Sequence, residues 1–187
     1  LSAPAAIPPV VISKKQVNCD LATNLDFRPV TLRNPKERAI FKIQEGIQRG
    51  FREFLTSQNF TEVHTPKINF AGAEGGTNVF KLDYFGKTVY LAQSPQLYKQ
   101  ALVPVYERVF EIGPVFRAEH HDTSRHLNEY ISMDFEMGFI EDFTDIMNME
   151  TGALQYIMNL LKTEYATEVE LLKVDIPEVN SIPCIRF

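Results

Sequence analysis

The sequence is poor in the features that mark secreted, zinc-binding and membrane proteins. It has only two cysteines, Cys19 and Cys184, which lie far apart without paired-ligand spacing. Free thiols in a reducing compartment are therefore favoured over a disulfide framework or a zinc site. No apolar run approaches the roughly 20 residues that a membrane-spanning helix needs, and no signal peptide is visible. We expect a cytoplasmic protein without a membrane segment.

Positive charge is also scarce. The chain has 19 Lys and Arg against 24 Asp and Glu, a net charge of -5, so it lacks the basic face of a dedicated nucleic-acid binder. Any contact with RNA is expected to be local. His120 and His121 are adjacent, which on a strand directs them to opposite faces, and no further ligand lies at metal-binding spacing. We therefore expect no metal site at these histidines.

What is present is typical of a globular domain with both helices and strands. The 187 residues are 44% hydrophobic and 23% charged, enough for one sizeable core. A helix is predicted from Asn34, which can cap it, with Glu37 placed to reach back to the cap. The predicted apolar stripe of this helix is Ile40, Ile43, Ile47, Phe51 and Phe54. Periodicity and turn residues also predict a hairpin of 78–84 and 87–91 turning near Phe85-Gly86, and a helix opened by Ser94-Pro95. A strand is predicted at 108–112, and a helix capped by Asp142 over 142–165.

The most informative segments are 113–119 and 129–137, which we predict to form a long antiparallel hairpin with a polar working loop. Gly113-Pro114 is expected to mark the entry to its first strand. Polar residues follow a two-residue rhythm and so share one strand face, unless that face is merely the solvated side of an amphipathic sheet. The polar set is Arg117, Glu119, Tyr130, Ser132, Asp134 and Glu136; the predicted core-facing set is Val115, Ala118, Ile131, Met133, Phe135 and Met137.

These segments resemble motif 2 of class II aminoacyl-tRNA synthetases, in the form found in aspartyl-tRNA synthetases of eukaryotic and archaeal type. The resemblance continues through 91–100 and 74–76 and covers roughly residues 23 to 140. It implies an α+β fold in which an antiparallel sheet is flanked by helices. No Gly-x-Gly-x-x-x-Arg segment occurs, so motif 3 of that fold is missing and we expect a partial catalytic domain.

The resemblance also implies a domain organisation and an oligomeric state. Residues 1–22 are expected to be the hinge after an absent anticodon-binding domain, and residues 23–187 the N-terminal part of the catalytic domain, with motifs 1 and 2. The 35–68 region resembles motif 1, which implies a homodimer. From periodicity alone, a core helix leading into an edge strand is an equal alternative.

An ATP site is implied around motif 2. Arg117 corresponds to the catalytic arginine that bridges the α-phosphate and the amino acid carboxylate. A guanidinium suits this role because it is planar, stays protonated and can donate two parallel hydrogen bonds. Glu119 corresponds to the acceptor of the adenine amino group, and Tyr130 stands where the family usually stacks a phenylalanine. The alternatives are a structural salt bridge for Arg117 and solvated charges for the loop residues. The implied ATP-binding residues are Arg117, Ala118, Glu119, Arg125, His126, Leu127 and Tyr130.

An aspartate site is implied beside it. Lys99 corresponds to a lysine that binds the side-chain carboxylate, and a neutral asparagine would leave that cation unpaired. Asp134 and Glu74 correspond to acidic groups that hold the substrate ammonium. An ordinary surface lysine and a solvated loop carboxylate are the alternatives for Lys99 and Glu74. The implied residues are Glu74, Ser94, Gln96, Leu97, Tyr98, Lys99, Arg117 and Asp134.

The implied function is that of an aspartate-tRNA ligase, which activates L-aspartate with ATP to aspartyl-adenylate and transfers it to the 3′ end of tRNA(Asp). We expect Mg2+ ligands outside this chain, and the chain alone is not expected to sustain aminoacylation. Two alternatives stay open at this point. One is a catalytically inactive synthetase-like binding or regulatory paralogue, and the other is a tRNA-independent amide-forming relative.

Overall fold

The computed structural model describes residues 6–7, 9–70, 78–121, 123 and 125–185. These residues form six helices and six strands. The helices are α1 Leu21–Asp26, α2 Arg28–Thr31, α3 Pro35–Ser57, α4 Gln96–Tyr106, α5 Phe143–Glu164 and α6 Ala166–Leu172. The strands are β1 Thr61–Glu62, β2 Ile68–Asn69, β3 Lys81–Tyr84, β4 Lys87–Leu91, β5 Arg108–Phe116 and β6 Glu129–Met137.

The chain divides into two compact units, one made of Leu1–Gly50 with Leu154–Asn180 and the other of Phe51–Ala153 with Ser181–Phe187. The first unit is helical. An Arg49–Glu164 ion pair of 2.6 Å joins α3 and α5 at its surface. The apolar residues buried in this unit include Ala39, Ile157, Leu160, Leu161 and Tyr165.

Helix α3 begins where its capping residue predicts. Asn34 is fully buried, and its Oδ1 accepts a hydrogen bond from the Lys36 N–H at 2.9 Å. The return bond expected from Glu37 is not made, because the Asn34 N–H already donates to the Thr31 carbonyl at 2.9 Å. Glu37 accepts instead from the side-chain amide of Asn24 at 3.2 Å. The helix start is thus tied to the preceding chain.

The apolar stripe predicted along α3 is only partly correct. Phe51 is buried at 6% exposure, but Ile40 is 53% exposed while its neighbour Ala39 is 2% exposed. At its N-terminal end the helix therefore buries a side one residue away from the predicted stripe.

Helix α5 confirms the predicted 142–165 helix. Asp142 caps it by accepting from the Thr144 N–H at 2.7 Å. The hydrogen bonds of the Thr144 hydroxyl and backbone hold the pKa of the Asp142 carboxyl below its ordinary value, because both favour the charged form. None of the helices in the described parts of the chain has the length and apolar character needed to cross a bilayer.

The predicted hairpin of β3 and β4 is confirmed. Tyr84 pairs with Lys87, which leaves Phe85 and Gly86 as a two-residue turn with φ values of 54° and 77°. Positive φ at both positions is the requirement of a type I′ turn, whose twist matches the flanking strands. Strand β2 adds to β4 in antiparallel fashion, so the sheet order is β2-β4-β3.

The second sheet has the order β1-β5-β6 and contains the long hairpin predicted around motif 2. Strands β5 and β6 pair antiparallel from Arg108 opposite Met137 to Phe116 opposite Glu129. The short β1 joins β5 in parallel. Strand β5 runs through Gly113 and Pro114 without a break, so the prediction that this dipeptide starts a new strand is wrong.

Toward the loop, the hairpin covers the opposite face from the one predicted, whereas Phe135 and Met137 at the other end are half-buried. Tyr130, Ser132, Asp134 and Glu136 are half-buried, whereas Ile131 is 43% exposed and Met133 is 37% exposed. Val115, also predicted to face away from the polar set, pairs with Tyr130 on the polar face and is 1% exposed. Charged groups are covered here because lysines from other segments pair with them.

The other face is packed mainly at one end of the strands. Phe110 is fully buried, and its ring meets that of Phe51 edge-to-face at 6.0 Å. Phe60 makes a similar contact with Phe135 at 5.7 Å. Edge-to-face aromatic pairs add to the free energy of area burial, so this cluster anchors the end of the sheet where β5 begins.

Candidate functional site

A cavity of about 370 Å3 opens where β5 leaves the sheet and the loop returns to β6. Six of the seven residues predicted to bind ATP line this cavity. The seventh, Ala118, is not in the cavity wall, and its N–H donates to the Asn78 carbonyl at 3.1 Å. The lining residues are Arg117, Glu119, Arg125, His126, Leu127 and Tyr130.

Arg117 is held at the mouth of the hairpin by its backbone. Its N–H donates to the Asn128 carbonyl at 2.9 Å, which extends the strand pairing one step beyond β5. The side-chain nitrogen of Asn128 faces the backbone carbonyls of Arg117 and Glu119 and donates to each at 3.1 Å. The Arg117 Nε is a buried donor without a hydrogen-bond partner among the described residues. Such a donor is costly unless an acceptor arrives, so it points to a ligand.

The loop side of the cavity is organised around His126. Its Nδ1 lies 2.6 Å from the Thr123 Oγ1, and its Nε2 lies 3.5 Å from the Glu119 Oε2. The Arg125 N–H donates to the same threonine hydroxyl at 3.3 Å. The Glu119 side chain is 32% exposed and keeps acceptor capacity toward the cavity.

A second polar cluster lies further along the same face of the sheet. Lys99, on α4, is only 5% exposed. Its Nζ lies 3.4 Å from the Asp134 Oδ1 and 3.5 Å from the Glu136 Oε2, and it donates to the Phe135 carbonyl at 3.4 Å. The other Asp134 oxygen accepts from the Ser132 hydroxyl. A buried ammonium shared by two carboxylates can recognise an acidic group only by rearranging these pairs.

The sequence matches the family model of the class II tRNA synthetases (D, K and N) over residues 20–186. The chain belongs to this family of class II tRNA synthetases. It is 54% identical over 188 residues to the aspartate–tRNA(Asp/Asn) ligase of Deinococcus radiodurans, covering 100% of this chain and 43% of that protein. The aspartate–tRNA(Asp) ligase of Pyrococcus horikoshii is 46% identical over 164 residues, 87% of this chain and 37% of that protein. The synthetase chain thus spans less than half the length of these relatives.

Solved synthetase structures share its fold. The asparaginyl-tRNA synthetase of Pyrococcus horikoshii, complexed with asparaginyl-adenylate, superposes with a TM-score of 0.78 and 35% identity, covering 84% of this chain and 36% of that one. The aspartyl-tRNA synthetase of Entamoeba histolytica gives a TM-score of 0.69 and 37% identity, covering 86% and 29%. These matches confirm the predicted class II synthetase fold.

The other described residues that were predicted to bind aspartate are more exposed than Lys99. Ser94 accepts the Gln96 N–H at 3.1 Å and so helps to open α4. Gln96 is exposed while Lys99 is buried, and Leu97 is 53% exposed. The Tyr98 hydroxyl donates to the Asn69 Oδ1 at 3.1 Å. The predicted residue Glu74 lies outside the described residues.

Sequence reasoning missed a third charged cluster in the synthetase chain. Glu111 is 3% exposed and accepts from the Thr65 N–H at 3.0 Å, the Thr65 hydroxyl at 2.7 Å and the Lys67 ammonium at 2.7 Å. Glu111 pairs directly with Asp134 across the hairpin and so projects from the same face. The alternation of β5 carried this signal, because Glu111 has the same parity as Arg117.

Metal binding finds no support in the described parts of the synthetase chain, where no group of three or more His, Cys, Asp and Glu side chains could hold an ion. The carboxylates of the polar face have lysine partners instead. The site therefore offers a guanidinium whose Nε is buried, a half-buried aromatic ring and a paired ammonium. This set suits a ligand with an anionic centre, a planar base and an amino acid group.

Proposed function

We propose that this chain forms the amino acid activation site of an aspartate-tRNA ligase, with L-aspartate and ATP as substrates and tRNA(Asp) as the acceptor. The observation that carries the proposal is the buried Lys99, paired with two carboxylates on the face that also bears Arg117. Relatives named as aspartate–tRNA ligases, at 54% and 46% identity, support it.

In the proposed reaction, an oxygen of the aspartate α-carboxylate attacks the α-phosphorus of ATP. The bond to the bridging oxygen breaks, pyrophosphate leaves, and aspartyl-adenylate forms. A hydroxyl at the 3′ end of the tRNA then attacks the mixed anhydride and AMP leaves. Arg117 donates to the α-phosphate and the attacking carboxylate, so it stabilises the charge that develops between them.

The nucleotide is proposed to fill the cavity at the hairpin mouth. Glu119 accepts from the adenine amino group, Tyr130 stacks on the base, and Arg125 and His126 bind the phosphate tail, with Leu127 beside them. Ala118, which lies outside the cavity wall, is proposed to act only through its backbone position between Arg117 and Glu119. ATP is expected to arrive with Mg2+. The described residues do not fit a magnesium site, so its ligands are proposed to lie elsewhere.

Aspartate is proposed to bind at the Lys99 cluster. Lys99 binds the side-chain carboxylate while Asp134 holds the ammonium group, with Ser94, Gln96, Leu97 and Tyr98 bordering the site. Glu74 is proposed as a further acidic group that holds the ammonium. Asparagine is rejected because its neutral amide leaves the buried ammonium without a counter-charge. A cytoplasmic location, with residues 1–22 as a hinge and 23–187 as catalytic domain, completes the proposal.

Aspartate-dependent exchange of pyrophosphate into ATP tests this function in the gene product that contains this chain. We expect exchange with aspartate and at least about a hundredfold less with asparagine at equal concentration, because a site with a buried charge rejects a neutral isostere strongly. Equal exchange with both amino acids would refute the role of Lys99, and exchange with neither would refute the function.

We also propose that the chain forms a homodimer through the 35–68 region. Ile40 is 53% exposed and Phe41 is 44% exposed, beside a groove of about 640 Å3. Exposed apolar surface of this kind is typical of interaction sites. The groove is lined by Leu32, Pro35, Arg38, Ala39, Phe41, Lys42, Glu45, Thr167, Glu168 and Leu171.

The double substitution Ile40→Asp and Phe41→Asp is expected to convert the dimer to a monomer, because it places two charges where apolar surface would be buried. Sedimentation equilibrium measures the mass. The substitution Lys14→Asp, at an exposed position outside the region, is the control and should leave the dimer intact. A monomeric wild-type protein, or a dimer that survives the double substitution, would contradict the proposed interface.

A further inference from the structure

The Lys67–Glu111 ion pair lies on the polar face of the β5–β6 hairpin, next to the proposed aspartate site but outside the set of residues assigned to it. We propose that this pair sets the net charge of the aspartate site, so that Lys67 favours binding of the acidic substrate and Glu111 opposes it. Both are then positioning residues that act through Asp134 and Lys99. The inference rests on the proposed function.

The pair is built into the fold. Glu111 is 3% exposed, and the Lys67 side chain, 20% exposed, reaches its Oε1 at 2.7 Å. A Cβ atom at position 113 would lie 3.2 Å from that carboxylate oxygen and 3.5 Å from the Lys67 Nζ. The first distance is a tight contact and the second an ordinary van der Waals contact, so the Lys67 ammonium lies close to the Gly113 backbone. Since Gly113 pairs with Ser132, this ammonium lies beside the residue that holds Asp134.

The charges around the proposed aspartate site are nearly balanced. Three carboxylates, those of Glu111, Asp134 and Glu136, face two ammonium groups, those of Lys67 and Lys99, which leaves one net negative charge. Glu111 and Asp134 are direct cross-strand partners, whose Cβ atoms are about 5 Å apart in such pairs. Without Lys67, a buried negative charge would act on Asp134 at close range and compete for Lys99.

The effect should be local. Arg117 follows Glu111 by six residues, or about 20 Å along an extended strand. This separation is about four times the roughly 5 Å between the cross-strand partners Glu111 and Asp134, and the Coulomb energy falls with distance. The pair should therefore change the affinity for aspartate much more than the affinity for ATP.

The test compares Lys67→Met, Glu111→Gln and the double variant by aspartate-dependent pyrophosphate exchange in the whole gene product. Lys67→Met adds a net negative charge and should raise the KM for aspartate roughly tenfold. Glu111→Gln removes one and should lower this KM or leave it unchanged. The double variant restores the original net charge, so its KM should return close to the wild-type value. The KM for ATP should change less than twofold or so throughout.

A purely structural role would give a different pattern. Both single substitutions would then raise the KM for aspartate or reduce kcat together, and the double variant would not recover. Lys81→Met, which removes an exposed lysine from β3, is the matched control and should change neither KM. If the wild type exchanges with aspartate but the single variants shift its KM in the same direction, this inference alone is refuted. If the wild type does not exchange with aspartate, the proposed function falls and the inference falls with it.

Discussion

Replacing Arg117 by alanine should reduce aspartate-dependent pyrophosphate exchange about a hundredfold or more, while the melting temperature stays nearly unchanged. The rate should fall because a preorganised donor to the developing charge is worth on the order of 3 kcal/mol in the transition state. Stability should not fall because the guanidinium makes no ion pair with the described residues, and its Nε is a buried donor without a partner. Removing that donor even relieves a cost of burial.

The kinetics and the thermal unfolding should be measured on the same preparations. Arg52→Ala is the control, because Arg52 is an exposed arginine that pairs with Glu62 at 2.9 Å outside the site. It should leave exchange unchanged. A large drop in melting temperature for Arg117→Ala, with a proportionate loss of folded protein, would assign Arg117 a structural role instead.

The second large effect is expected from Lys99→Met. This change removes the ammonium that faces Asp134 and Glu136, so the preference for aspartate over asparagine in exchange should fall at least about a hundredfold. The folded state should also lose stability, by about 1–3 kcal/mol, because two partly buried carboxylates are left without their partner. Denaturant unfolding measures the second effect independently of the first.

A double variant, Lys99→Met with Glu136→Gln, separates the two effects. It removes one of the uncompensated charges, so stability should recover in part, while selectivity should stay low because the cation is still absent. Recovery of selectivity together with stability would mean that Lys99 acts on the fold and not on the substrate.

Local features could be predicted from the sequence because their causes lie within a few residues. The caps Asn34 and Asp142 mark where α3 and α5 begin, since each accepts from an N–H two residues ahead. The turn at Phe85-Gly86 could be predicted because only these two residues separate the two strand segments. The alternation that groups Tyr130 with Asp134 depends only on the two-residue period of a strand. Arg117 and Glu119 were predicted to share a strand face in the same way, but β5 ends at Phe116 and the Glu119 N–H donates to the Arg117 carbonyl at 2.9 Å, which is a turn.

Part of the candidate site could also be predicted from the sequence. The residues that resemble motif 2 do gather at one cavity, and the resemblance named the family that the comparisons confirm. The ion-pair partners of the charged side chains could not be predicted from the sequence. Lys67 and Glu111 are 44 residues apart, and Lys99 and Asp134 are 35 apart. Such pairs form only once the sheet register and the position of α4 are set.

By itself, then, the sequence determined the helix starts, the hairpin turn, the grouping of polar side chains and the family, all of which depend on short-range geometry or on motif identity. Only the tertiary structure decided which face of the β5–β6 hairpin is covered. Periodicity assigned Ile131 and Met133 to the core, yet they are the more exposed side. The reason is that lysines from distant segments pair with the carboxylates of the polar face, and paired charges can be covered where lone charges cannot.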